Sequence, residues 1–118
     1  IGSPAMNILK GECQSNQIKL SSGAALKVNS KHNGEVNVGL RPEDFTIDEK
    51  GTIKLKVELV ELIGANTLIH GRLENSNEIL VASIAGVISD SKIGNHINLS
   101  FNENKLHLFD INSDQRIN

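Results

Sequence analysis

The sequence predicts an all-β protein built as a small barrel or sandwich. About eight or nine short segments alternate apolar and polar residues, and turn residues separate them about every eight to twelve positions. No segment has the 3.6-residue periodicity of an amphipathic helix. The chain has 118 residues, which is the length of one domain with one core. We therefore expect residues 1–118 to form one all-β domain, with residues 1–6, which contain Gly2 and Pro4, as an incoming linker.

Residues 53–73 predict a bent β-hairpin around which the other strands are arranged. Its first half alternates charged residues with a set of apolar residues that we expect to face the core: Ile53, Leu55, Val57 and Leu59. The phase then slips, so that Val60 and Leu62 carry the apolar side. One extra residue in a strand has this effect, which predicts a bulge near Leu59 and Val60. Gly71, in the second strand, marks a position where a neighbouring backbone approaches closely.

The remaining strands follow from the same alternation. They are predicted over residues 7–11, 17–20, 24–28, 35–40, 78–84, 96–101 and 106–109, with a last pair at 116–117. The segment 78–84 is apolar on both sides, which is typical of a central strand. Gly39 lies on the outer side of its strand, where another group can approach. Pro42, followed by Glu43 and Asp44, predicts one short helical turn.

Composition limits the functions that the chain can have. The net charge is −2, and there are three Phe and no Trp or Tyr, so the core is aliphatic, and Phe101 and Phe109 are expected to face it. This composition disfavours a nucleic-acid surface, which needs positive charge and exposed aromatic rings. No apolar run approaches the ~20 residues of a membrane span. Cys13, which has no second cysteine to pair with, is expected to be a small buried residue of a protein from a reducing compartment.

The sequence contains no catalytic, cofactor or metal-binding pattern. The four histidines are far apart and have no second ligand at metal spacing, so we interpret them as structural: His32, His70, His96 and His107. Phosphate-loop, dinucleotide and nucleophile motifs are absent. Glu58 and Glu61 flank the predicted bulge and are expected to be solvated charges. The residues alone therefore predict an accessory domain without enzyme activity, and no catalytic, cofactor or metal site.

Several segments in the same order resemble a known family. They are residues 1–7 (IGSPAMN), 39–44 (GLRPED), 57–65 (VELVELIGA), 99–101 (LSF) and 106–110 (LHLFD). Together they resemble the C-terminal regulatory region, called the TOBE domain, of the ATP-binding subunits of bacterial ABC importers. The similar importers are those for sugars and glycerol-3-phosphate. The resemblance covers nearly the whole chain.

The resemblance implies a barrel of the oligonucleotide/oligosaccharide-binding (OB) type, elaborated with extra strands. It implies a non-catalytic regulatory and dimerisation domain, while ATP and Mg²⁺ are bound by an ATPase domain that precedes it. The implied partners are that ATPase domain, the second ATP-binding subunit, the permease subunits through the ATPase domain, and a regulatory protein. No nucleic acid and no direct membrane insertion are implied. The location implied is cytoplasmic, peripheral on the inner face of the bacterial plasma membrane.

Within this interpretation, the turn Arg41-Pro42-Glu43-Asp44 is the candidate contact with a neighbouring domain. The alternative is a strand-ending turn in which Arg41 and Glu43 only brace the local backbone, since exposed ion pairs contribute little.

Two further functions stay open at this point. A related use of such barrels is to bind small oxyanions such as molybdate, for which residues 21–23 or 89–92 could supply donors. The other is a single-stranded nucleic-acid-binding barrel, which the charge disfavours.

Overall fold

The protein consists of β-strands joined by short turns, as predicted. The computed structural model describes residues 5–118, so the part of the expected linker at residues 1–4 lies outside the described residues. The described strands are β1 (Asn7–Gln14), β2 (Gln17–Leu20), β3 (Ala25–Lys27), β4 (Gly34–Leu40), β5 (Phe45–Ile47), β6 (Ile53–Ile63), β7 (Asn66–Leu73), β8 (Ile79–Ala85), β9 (His96–Phe101) and β10 (His107–Asp110). Short 3₁₀ turns lie at Pro42–Asp44, Asp90–Lys92 and Glu103–Lys105. The first of these is the helical turn predicted after Pro42.

The strands form two antiparallel five-stranded sheets that enclose one aliphatic core. Sheet A has the order β10-β4-β1-β2-β3, and sheet B has the order β5-β9-β6-β7-β8. Alternate residues of each strand point into the space between the sheets, and both sheets contribute fully buried side chains, among them Leu9, Val38, Leu55 and Leu99. Within residues 5–118 no helix is long and apolar enough to cross a membrane.

The two sheets are two copies of one pattern, which the sequence did not reveal. In each copy four strands are arranged in the order fourth-first-second-third, as β4-β1-β2-β3 and as β9-β6-β7-β8. A 3₁₀ turn follows the fourth strand in both copies and leads into a fifth, β5 or β10. Each fifth strand then pairs with the fourth strand of the other copy, β5 with β9 and β10 with β4. This exchange links the two halves of the chain through their backbones.

Backbone hydrogen bonds fix which residues of the two copies are equivalent. Ser21 N donates to Lys10 O at 3.1 Å, and Glu74 N donates to Lys54 O at 3.0 Å. Lys10 of the first copy therefore corresponds to Lys54 of the second. In the same way the bond from Leu20 N to Ala24 O (2.8 Å) matches the bond from Leu73 N to Glu78 O (2.9 Å). Ala24 therefore corresponds to Glu78.

The predicted bent hairpin is formed by β6 and β7, and its bulge lies slightly earlier than expected. The pairing register shifts between Val57 and Leu59, so Glu58 is the extra residue. Val57 faces the core as predicted and is 1% exposed. The prediction that Leu59 faces the core is wrong, because the bulge turns its side chain outward and leaves it 47% exposed. Leu62 is 59% exposed, because the hairpin tip lies beyond the enclosed core.

Two glycines permit close packing at equivalent places of the two sheets. A Cβ atom on Gly71 would collide with Lys56 O and come within 2.8 Å of Leu55 Cγ, which confirms the predicted close approach. A Cβ atom on Gly11 would lie 2.9 Å from Ile18 Cγ2. The register places Gly11 opposite Leu20 and Leu55 opposite Leu73. Each copy therefore packs one glycine against one large residue. The glycine is on the first strand in the first copy (Gly11 against Ile18) and on the second strand in the second copy (Gly71 against Leu55).

Strand β8 is at the edge of sheet B, so the prediction of a central strand is wrong. Its outer residue Ile79 is 63% exposed, so the apolar pattern on both sides did not reflect burial on both sides. The free edge is covered by the Asn7 side chain of β1, which is buried. Asn7 Nδ2 donates to Val81 O at 2.9 Å, and Val81 N donates to Asn7 Oδ1 at 2.8 Å. One amide side chain therefore substitutes for a backbone partner.

Candidate interaction surface

The Arg41–Asp44 turn is held rigidly by its backbone, while its charged side chains point outward. Pro42 is buried at the first position of the 3₁₀ turn, and Asp44 N donates to Arg41 O at 3.0 Å. Asn102 N of the second copy donates to Asp44 O at 3.1 Å. Arg41 and Glu43 are exposed, and neither makes an ion pair with any residue in the described part of the chain. Arg41 and Glu43 therefore do not brace the local backbone through an ion pair within the described residues.

Next to this turn lies a flat apolar face on the outside of sheet A. We call it the β4–β10 face, and it consists of Met6, Ile8, Gly39, His107 and Phe109. Gly39 is its floor, because a Cβ atom there would collide with Met6 Sδ and lie 2.9 Å from Phe109 Cε2. This confirms the close approach predicted at Gly39. The rings of His107 and Phe109 are stacked, with centroids 6.2 Å apart.

Two side chains on this face are accessible to a partner. Ile8 is 53% exposed, and Phe109 is half-buried. The prediction that Phe109 faces the core is wrong, because β10 places alternate residues on the two sides and Leu108 is the buried one. Phe101 is 7% exposed, as predicted. The strand patterns could not identify this face, since it forms only when β1, β4 and β10 lie side by side.

The turn and the face are electrostatically coupled through His107. Partial burial lowers the pKa of His107 below its ordinary value, the nearby Arg116 and Arg41 guanidinium groups lower it further, and Asp44 opposes them. Arg41 and Asp44 are close enough to this imidazole to influence its pKa, and Arg41 directly follows Leu40, the last residue of β4, so the predicted turn adjoins the β4–β10 face. This surface therefore has two arginines, Arg41 and Arg116, and two acidic residues, Glu43 and Asp44, beside the apolar side chains of the β4–β10 face.

The other residues that the sequence singled out do not converge. His70 Nε2 and Glu61 Oε1 are hydrogen-bonded at 2.6 Å on the outside of the β6–β7 hairpin. Glu58 pairs with Arg72 at 3.3 Å on the same side, where both are about half exposed. Cys13 is buried, and burial raises the pKa of its thiol, which disfavours the reactive thiolate. Among residues 5–118, no three His, Cys, Asp or Glu side chains lie close enough together to hold a metal ion.

The segments considered for oxyanion binding lie in two separate places. Residues 21–23 form the turn between β2 and β3, where Ser21 Oγ donates to Lys10 O at 3.3 Å. Ser22 Oγ is buried and has no hydrogen-bond partner among the described residues. Residues 89–92 include the 3₁₀ turn Asp90–Lys92 near β6. Ser22 and Gly23 also line an open groove between β3 and β6.

The sequence matches two family models that together cover most of the chain. The model described as "MalK OB fold domain" matches residues 2–45, and the model described as "TOBE domain" matches residues 38–109. The boundary between them falls at the 3₁₀ turn that ends the first copy of the strand pattern.

Import ATP-binding proteins of several bacteria align over nearly the whole chain. The chain is 38% identical over 117 residues to the sn-glycerol-3-phosphate import ATP-binding protein UgpC of Ruegeria pomeroyi, covering 99% of this chain and 33% of that protein. It is 31% identical over 133 residues to the oligosaccharides import ATP-binding protein MsmX of Bacillus subtilis, covering 99% of this chain and 36% of that protein. The chain thus spans about a third of the length of these relatives.

A solved structure shares the fold. The cytoplasmic molybdate-binding protein ModG, in a crystal form with molybdate bound, superimposes with a TM-score of 0.64 over 92% of this chain and 98% of ModG, at 12% identity. At this identity the likeness shows a common fold. With the TOBE model matching residues 38–109 of 118, and with two antiparallel sheets of the predicted OB-like type, the chain belongs to the TOBE domain family.

Proposed function

We propose that this chain is the C-terminal regulatory and dimerisation domain of the ATP-binding subunit of a bacterial ABC importer for a sugar or a related solute. The observation that carries the proposal is the alignment of 99% of the chain with only a third of import ATP-binding proteins such as UgpC. The ATPase domain, which binds ATP and Mg²⁺, then precedes this chain in the same polypeptide. The subunit lies on the cytoplasmic side of the membrane, where the ATPase domain contacts the permease subunits.

The contact with the neighbouring subunit is assigned to the β4–β10 face together with the Arg41–Asp44 turn. Interfaces have an apolar core in which aromatic residues are enriched, and a polar rim. Ile8 and Phe109 supply such a core, and Arg41 and Glu43 supply the rim. A two-fold interface uses the same patch on both subunits. Since Arg41 and Glu43 carry opposite charges on one turn, Arg41 of one copy can face Glu43 of the other.

Cysteine cross-linking in the whole ATP-binding subunit tests this assignment. Ile8→Cys places a thiol on the β4–β10 face, whereas Ile79→Cys places one on β8, at a position with similar exposure, 63% against 53%. Under mild oxidation, we expect Ile8→Cys to give a covalent dimer and Ile79→Cys to give none. The buried Cys13 contributes little background. Equal cross-linking of the two variants, or cross-linking of Ile79→Cys alone, contradicts the assigned surface.

The isolated 118-residue chain provides a second measurement. The ATPase domains supply much of the contact in the proposed dimer, so we expect weak or no self-association of the chain alone. Sedimentation velocity across a wide concentration range checks this expectation. A tight dimer of the isolated chain would contradict this part of the proposal, while the cross-linking result would still report on the surface.

A further inference from the structure

Because the strand pattern occurs twice, the junction between the two sheets also occurs twice. At the first junction, strand β1 meets the beginning of β8. Here a carboxylate makes the connection: Lys10 N donates to Glu78 Oε2 at 3.1 Å. Asn7 fills the rest of this junction with its amide bonds to Val81. Side chains of the protein therefore fill the first junction, where Glu78 Oε1 is buried and has no hydrogen-bond partner among the described residues.

The second junction, between β6 and β3, has the same backbone and smaller side chains. Lys54 corresponds to Lys10, and Ala24 corresponds to Glu78, as the matching hydrogen bonds establish. The register with the fourth strand places Leu9 opposite Val38 and Ile53 opposite Leu99. Strand β6 begins at Ile53, and Gly51 lies in the preceding turn, where its N donates to Asp48 O at 2.8 Å, so no residue of β6 takes the place of Asn7. The result is an open groove of about 360 Å³ lined by Ser22, Gly23, Ala24, Ala25, Thr52, Lys54, Glu74 and Asn75.

The groove presents hydrogen-bond donors at the place where the first junction holds a carboxylate. Lys54 O accepts from Glu74 N, and the N–H and C=O of one strand residue point to the same side, so Lys54 N–H points into the groove. Ser22 lines the groove, and its Oγ is buried and lacks a partner among the described residues. Buried polar groups in native proteins are nearly always hydrogen-bonded to the protein, to ordered water or to a bound group.

The charges around the groove are mixed. The Lys54 ammonium favours an anion and Glu74 opposes it, and both side chains are exposed. Solvent therefore screens both. Asn75 Nδ2 makes a long bond of 3.5 Å to Ser22 O, which leaves its amide free to turn toward a ligand. The selectivity of the site then depends mainly on the fixed donors, Lys54 N–H and Ser22 Oγ.

We propose that this groove binds a small carboxylate, held by Lys54 N–H as the Glu78 carboxylate is held by Lys10 N–H at the equivalent junction, with the Ser22 hydroxyl as a second donor. The bound group completes a junction that the protein closes by itself only on the other side. This inference does not depend on the proposed transporter function, since it follows from the comparison of the two copies.

Titration of the ¹⁵N-labelled chain with sodium succinate tests the site directly. We expect saturable amide shifts at Lys54 and in residues 22–25 and 74–75, with smaller changes at Lys10, whose N–H is already occupied. Sodium chloride at matched ionic strength is the reference. Shifts no larger than those with chloride overturn the proposal. Inorganic phosphate or molybdate shifting the same amides more strongly than succinate overturns the assignment to a carboxylate.

Two variants at Ala24 separate charge from volume. Ala24 is 7% exposed, so a melting curve of each variant first establishes that the chain is folded. Ala24→Glu supplies the carboxylate that Glu78 supplies in the first copy and should abolish succinate binding, whereas Ala24→Gln adds the same volume without the charge and should weaken binding less. An unchanged succinate affinity in Ala24→Glu overturns the proposal. Ser22→Ala removes one hydroxyl at little risk to folding, and an affinity that does not fall severalfold overturns the role of Ser22.

Discussion

The two halves of the chain build the same five-strand pattern with different residues. Asn7 and Glu78 fill the junction at the first strand of the first half, β1 to β5, while at the equivalent junction of the second half, β6 to β10, Ala24 stands in place of Glu78. The first half keeps a regular β1–β2 hairpin, while the second adds a bulge at Glu58 and a long exposed tip. The comparison teaches that the hydrogen-bond ladder and its register define this fold, and that the side chains at equivalent places are free to differ in their roles.

The largest effect is expected where the second half buries an aliphatic residue just before its bulge. Val57→Asp places an unpaired charge in the core at a site that is 1% exposed, and should lower the free energy of unfolding by about 4 kcal/mol or more. Leu59→Asp, just past the bulge at a 47% exposed site, should change it by less than about 0.5 kcal/mol. Urea denaturation measures both. Similar losses in the two variants would mean that the bulge does not turn Leu59 outward.

The two glycines sharpen the comparison at equivalent packing sites. Gly71→Ala brings a methyl group against the Lys56 carbonyl, which cannot move without disturbing the sheet, and should cost about 2–3 kcal/mol. Gly11→Ala meets the side-chain methyl groups of Ile18 and Val38, at 2.9 and 3.2 Å, which can shift, and should cost about 1 kcal/mol. Thermal unfolding of the two variants shows which substitution causes the larger loss of stability. A larger loss for Gly11→Ala would contradict this account.

The next largest effect on stability is expected for Asn7, whose side-chain amide lies at the first junction. Asn7→Ala leaves Val81 N and O without their partner and should cost about 1–2 kcal/mol. Asn98→Ala is the matched control, because Asn98 donates a single bond to the exposed Glu49 O at 3.0 Å, and should cost less than about 0.5 kcal/mol. Hydrogen exchange at Val81 N–H should accelerate in Asn7→Ala and stay unchanged in Asn98→Ala. If both variants behave alike, Asn7 does not hold the edge of β8.

The period-2 pattern predicted nine of the ten described strands, because burial alternates wherever one side of a strand faces the core, but it missed β5, which has only three residues. The glycines at 39 and 71 also predicted close approaches, since a glycine inside a strand often marks a place where another group packs closely. The exchange of β5 and β10 was not predictable, because it depends on pairing between residues more than 50 positions apart, such as Phe45 with Phe101. The bulge was misplaced because Leu59, Val60 and Leu62 are all apolar, so that hydrophobicity does not fix the phase.

Only the part of the candidate surface that is local in sequence was predicted. The Arg41–Asp44 turn is local, and Pro42 with two acidic residues after it identifies such a turn. Ile8 and Phe109 belong to different strands, β1 and β10, which β4 separates in sheet A. Their shared face depends on strand order, which no local pattern contains. The groove at Lys54 could not be predicted from the sequence either, because the equivalence of Lys54 and Lys10 is established by backbone hydrogen bonds in the structure.

The smallest expected effect is a pH dependence that one half has and the other lacks. His107 of β10 occupies the place that Thr46 has in β5, as the 3₁₀ turns before the two strands show. Burial and two arginines lower the pKa of His107 in the folded state below its ordinary value of 6.5. As the pH falls below 6.5, the unfolded chain therefore takes up a proton more readily than the folded chain, and His107 destabilises the fold. The penalty is complete below the folded pKa and absent well above pH 6.5.

His107→Gln removes this titration and keeps a polar side chain of similar size. Urea midpoints measured from pH 8 to pH 5 should fall less in the variant than in the parent chain, and the two curves should be parallel above about pH 7.5, one unit past the ordinary histidine pKa. Arg41→Gln should act in the same direction with a smaller amplitude, because Arg41 is the weaker of the two cationic neighbours. A midpoint that falls as steeply in His107→Gln as in the parent chain would contradict the assignment of this pH dependence to His107.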